Sequence, residues 1–135
     1  MSPTHNSSKP IDELPAQTVR RLGGSNVDGL RRWAAQAGHR FVHVECSDCV
    51  DKGSVLKAIG HAFEFPEWYG ANLDALYDCL TDLPERGASG WVVVLERLPA
   101  EPRFDAGDRA ALLDVFRDAA DDFAGRRVGL RVFYS

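Results

Sequence analysis

Three aspartates, Asp74, Asp78 and Asp82, recur at every fourth residue near the middle of this chain. From Ala58 to Glu85 there is no Lys or Arg, while Glu64, Glu67 and Glu85 add further negative charge. Carboxylates set like this serve two kinds of chemistry. A pair can share acid–base work, which requires surroundings that push their pKa values apart. A row of fixed charge can instead meet a basic partner. Asp74 and Asp78 lie one helical turn apart on the solvent side, with no pocket to separate them. No Ser–His–Asp arrangement and no phosphate-cradling glycine loop accompanies them. The pattern therefore points to binding, not catalysis. Trp68 and Tyr69, just before the aspartates, add aromatic surface of the kind that anchors protein interfaces.

A second constellation competes with the first. Cys46 and Cys49 form a CxxC at a strand end just before a helix, and His43 is close in sequence. Thiol chemistry or a zinc site built from His43, Cys46 and Cys49, with His61 as a further ligand, is the alternative reading. A second CxxC is missing, and no histidine has a standard zinc spacing. The expectation is that no cofactor or metal is needed. Cys79 reads as a small buried hydrophobe.

The aspartates need an element to present them. On a helical wheel Leu73, Leu76, Leu80 and Leu83 fall within an arc of about 80°, with Asp74, Asp78 and Asp82 opposite and Tyr77 and Thr81 on the border. A helix over Asn72 to Leu83 is predicted, followed by Pro84. A solvated acidic face would have the same wheel. However, such faces usually mix signs, and here each four-residue step sets like charges together at about 0.2–0.5 kcal/mol per pair. Asp82 also falls in the last turn, where the helix dipole disfavours anions. Local rules broken without local gain mark functional surface. Asp118, Asp121 and Asp122 repeat the theme near the end of the last helix.

The remaining elements alternate. Gln17 to Leu22 reads as a short edge strand, and Ser25 or Asn26 caps a helix that Gly38 stops. Arg40 to Glu45 alternates as a strand. Asp51 to Phe63 is helical, and Pro66 closes it. Trp91 to Leu95 is apolar throughout, as for a strand covered on both faces. A helix begins at Asp105 with Leu112, Leu113, Phe116, Ala119, Ala120 and Phe123 inward, and Val128 to Tyr134 forms the last strand. Such alternation predicts an α/β fold with parallel strands.

With 135 residues, 44% hydrophobic and 27% charged, the chain makes one domain, residues 17–135, after a disordered tail over residues 1–16. A net charge of −4 is a poor basis for gripping nucleic acid. No apolar run is long enough for a membrane span, and Met1 to Lys9 lacks a signal-peptide core. An odd cysteine count completes the expectation of a reduced, cytoplasmic protein.

The segment Phe65-Pro-Glu-Trp-Tyr-Gly-Ala-Asn-Leu-Asp-Ala-Leu-Tyr-Asp-Cys-Leu-Thr resembles the inhibitory loop and helix of the barstar family, intracellular inhibitors of secreted ribonucleases such as barnase. The strand Val93-Val-Leu-Glu96 and the helix segment Val115-Phe-Arg-Asp-Ala119 extend the resemblance, which runs from about Arg40 to Ser135. It implies a barstar-like fold, a small parallel sheet of about three strands packed by helices, with Gln17 to Gly38 as an N-terminal strand–helix extension. It also implies an inhibitor and not an enzyme. Asp78 would take the place of a substrate phosphate in the ribonuclease pocket, and Asp74 would pair with a neighbouring arginine. Asp118 stands where the family has a glutamate, Trp68 where it has a tyrosine that packs on the catalytic histidine, and Tyr77 where it has a tryptophan. Tyr69, Asn72 and Thr81 complete the implied partner surface. The partner would be a basic extracellular ribonuclease or a ribonuclease toxin domain, with no nucleic acid, membrane or small-molecule substrate. A barstar-fold protein serving another basic partner is the remaining alternative.

Overall fold

The computed structural model describes residues 11–135. Residues 1–10 of the expected tail lie outside the described residues. The chain then makes a helical turn over Ile11–Glu13, and Ile11 and Leu14 pack on buried side chains. Order thus reaches further back than the composition suggests, because these two residues have apolar surface to bury.

Four strands, β1 (Gln17–Arg21), β2 (Arg40–Glu45), β3 (Gly90–Glu96) and β4 (Gly129–Tyr134), form one sheet in the order β1-β4-β3-β2. Every pairing is parallel, with Gln17 opposite Leu130, Arg40 opposite Trp91 and Gly90 opposite Gly129. The expected count of about three strands is one short, since β1 is fully part of the sheet beside β4. The connection from β1 to β2 carries α1 (Val27–Ala37) and crosses the whole sheet. The later connections step back one strand at a time. They carry α2 (Lys52–Phe63), α3 (Leu73–Thr81) and α4 (Ala106–Gly125), which pack on the opposite face from α1. Reversing direction and changing face together keeps all crossovers of one hand, as parallel connections require.

Alternation along the strands feeds these two layers. Val42, Val44, Val93, Leu95, Leu130 and Val132 face α2, α3 and α4, and Val92, Val94 and Phe133 face the α1 side. The apolar run of β3 is buried from Gly90 to Leu95, as expected for a strand covered on both faces. Side chains set the helix starts: Asn26 accepts from the Gly29 amide, and Asp51 and Asp105 each form a reciprocal capping box with the residue three further on. Gly38 closes α1 in the left-handed conformation at φ 73°. No helix among the described residues is long and apolar enough to cross a membrane.

Candidate protein-binding site

The helix that carries the aspartates is shorter than the sequence predicts. α3 ends at Thr81, Asp82 is its cap, and Leu83–Arg86 forms a separate tight turn with Pro84 in its first positions. Proline resists the helical conformation in the residue before it, so the helix gives way ahead of Leu83. Leu76, Leu80 and Leu83 are buried, and Cys79 joins them at 3% exposure. Leu73, in the first turn, is half-buried and packs against the same core.

Contrary to the expectation of no pocket at Asp74 and Asp78, a cleft of about 840 Å3 lies between α3 and α4, and Leu73 lines it. The α3 wall carries Asp74, Tyr77 and Asp78, and the α4 wall carries Val115, Asp118, Asp121 and Asp122. No Lys or Arg lines it. Ion pairs among the described residues include Asp28–Arg31, Glu45–Arg97 and Asp114–Arg117, but none takes Asp74, Asp78, Asp118 or Asp121. Asp122 differs. Its Oδ2 lies 3.3 Å from Arg126 but without the alignment of a hydrogen bond, and Arg126 also approaches Glu85 at 3.9 Å. One cation at the rim therefore offsets part of the field. Behind α3 the Cys79 thiol is held above the usual range, first by burial and then by the charges of Asp82 and Asp78.

Asp121 and Asp122 join the site beyond the acidic residue assigned from α4, Asp118. The signal was present in the sequence. Val115, Asp118, Asp121 and Asp122 follow the i, i+3, i+4 spacing that puts residues on one helix face. Asp82 is not among the residues lining the cleft.

The other assigned residues, Trp68, Tyr69, Asn72 and Thr81, do not line the cleft and have different roles. Asn72 caps α3 by accepting from the Ala75 amide at 2.8 Å. The Thr81 hydroxyl donates to the carbonyls of Tyr77 and Asp78 at 3.0 and 3.2 Å. Tyr69 turns inward. Its hydroxyl donates to the Leu56 carbonyl at 2.8 Å, and its ring lies over Gly60, where a β-carbon would come within 2.5 Å of it. Burial holds its pKa well above the ordinary tyrosine value. Phe65 stacks on Phe63 and meets Tyr69 edge-on, each at 5.1 Å between ring centres. This pinned loop leaves Trp68 projecting, 58% exposed, while Tyr77 is 36% exposed.

The rival constellation does not converge. His43 and Cys46 differ by an odd number of residues along β2 and its continuation, so they face opposite sides of the sheet. Cys46 is fully buried among core residues, and burial, then the neighbouring Cys49, pushes its pKa up to about 12. A reactive thiol needs the reverse. Cys49 is half-buried and directs its sulfur at the Ser54 carbonyl. His43 instead bonds Glu96 at 2.8 Å, and Arg97 takes Glu45 and also reaches Glu96.

The cleft between the two helices is thus acidic with no lining Lys or Arg, and the loop before α3 carries an exposed tryptophan. No curated protein matches the sequence. A family model described as barstar (barnase inhibitor) matches residues 39–135, which include the whole cleft, the Trp68 loop and three of the four strands. The chain therefore belongs to the barstar family.

Proposed function

We propose that this protein inhibits a basic ribonuclease by seating its α3–α4 cleft and Trp68 over the enzyme's active site. The partner is a secreted ribonuclease or a ribonuclease toxin domain, and the inhibitor protects the cell interior from it. The observation that carries this reading is the cleft itself, in which carboxylates from two helices converge with no lining cation, within a chain of the barstar family. Active sites that cleave RNA hold cationic groups for the phosphate. A carboxylate on a rigid helix can occupy that place without being cleaved. Asp78 is that group in this reading, Asp74 and Asp118 pair with flanking cations, and Trp68 covers the rim. Matched fields speed encounter, and desolvated charge pairs hold the complex.

The test is inhibition of a panel of basic ribonucleases by the wild-type chain and by Asp78→Ala. Removing one member of a buried pair strands the other and costs about 3–5 kcal/mol, so Kd should rise by more than about a hundredfold. The association rate should fall as salt is raised, because steering is screened. Inhibition unchanged in Asp78→Ala would overturn the assignment of this cleft.

A further inference from the structure

The acidic cleft has a counterpart of opposite sign at another place in the fold. Arg131, in β4, is the one buried charged side chain among the described residues, at 8% exposure. None of the ion pairs among those residues includes it. Its guanidinium lies 4.8 Å over the Trp33 ring, and one Nη donates to the Leu14 carbonyl at a long 3.4 Å. Its Nε has no partner. A charge taken out of water without a counter-ion is costly, and stacking on an aromatic face recovers only part of that cost. Burial accordingly holds the pKa of Arg131 below the usual arginine value.

This arginine borders a cavity of about 330 Å3 at the end of the sheet where the parallel strands begin. Arg127, His39 and Ser89 also line it, and no carboxylate does. Gly129 lies on its wall, and a β-carbon there would sit 3.7 Å from Nη1 of Arg131 and 3.3 Å from the Ala16 carbonyl oxygen. The His39 ring contacts the Ser89 hydroxyl at 3.1 Å, and it passes so close to Gly90 that any β-carbon there would collide with it. Burial, then the charge of Arg131, lowers the pKa of His39. At the end of α4 the Phe123 carbonyl accepts from the Arg126 and Val128 amides, and the Ala124 carbonyl accepts from the Arg127 amide. Two arginines and a serine lining one cavity are the residue types that bind a tetrahedral oxyanion.

We propose that this cavity is an oxyanion site that takes a phosphate group, either free phosphate or the phosphate of a small molecule. The site is a ligand pocket independent of the ribonuclease-binding cleft. Its test is a titration of the full chain with inorganic phosphate and, separately, with glycerol phosphate. Both are run at constant ionic strength and followed by NMR shifts of the Ser89 and Gly129 amides and the His39 ring. Saturable shifts confined to the cavity residues are expected, with Kd below about 1 mM. The His39 pKa should rise when the site is full. Arg127 is exposed, so Arg127→Ala should fold normally and weaken binding about tenfold or more. Asp78→Ala should leave phosphate binding intact, which separates this site from the cleft. Tighter binding of glycerol phosphate would identify a carried phosphate, and tighter binding of the free ion would identify phosphate itself. No saturation by about 10 mM, or equal binding in Arg127→Ala, would overturn the proposal.

Discussion

Trp68 and Tyr69 are neighbours with opposite environments. One is exposed, and the other is bonded to Leu56 and fitted over Gly60. In the sequence they look alike, two aromatics in a loop. What separates them is a space on α2 that exists only because residue 60 has no β-carbon, which no local pattern announces. The pair can be told apart by mutation. Trp68→Ala should leave stability within about 0.5 kcal/mol while weakening ribonuclease inhibition. Tyr69→Phe should cost about 1 kcal/mol in urea unfolding through the lost hydrogen bond. Gly60→Ala should do more, displacing the ring and loosening the loop, so that inhibition falls although the carboxylates are untouched. If Trp68→Ala inhibits like wild type, the exposed indole plays no part in the contact.

α3 is an element whose charge pattern works against its own stability. Asp74 lies in the first turn, where the dipole favours it, but Asp78 has a like charge one turn away on either side, and Asp82 caps the wrong end for an anion. This conflict was legible in the sequence. The helix end was not, because the wheel carried the periodicity through to Leu83 and only the tight turn at Pro84 shows where it stops. The conflict predicts that function and stability separate. Asp78→Ala relieves two repulsions of about 0.2–0.5 kcal/mol each and substitutes a better helix former. Its thermal midpoint in low salt should rise by a few degrees, and the gain should shrink in 1 M salt. Asp82→Ala should also gain stability but keep inhibition, since Asp82 does not line the cleft. A lower midpoint for Asp78→Ala would mean that this carboxylate supports the fold.

At the scale of the whole molecule, the layers could be read from sequence and the strand order could not. Trp91 to Leu95 reads as doubly covered wherever β3 sits, but nothing local in Gln17–Arg21 says that it pairs with β4, over a hundred residues away. The family match begins at residue 39 and so leaves out β1 and α1, although the acidic cleft lies entirely within it. Whether residues 39–135 suffice is then a physical question. Without residues 1–38, β4 becomes an edge with its hydrogen-bonding groups free. Val92, Val94 and Phe133, all fully buried in the whole chain, lose the cover of Leu30 and Ala34. A long unprotected edge beside exposed apolar surface favours strand-to-strand association. The shortened chain should therefore elute as oligomers or aggregate at concentrations where the full chain is monodisperse, and its core amides should exchange faster. Any fraction that stays monomeric should still inhibit the ribonuclease, because the cleft, Trp68 and their supports are all retained. A shortened chain that is monomeric and as heat-stable as the full one would show that β1 and α1 contribute nothing to the fold. A monomeric, folded one that fails to inhibit would place part of the partner surface in residues 1–38.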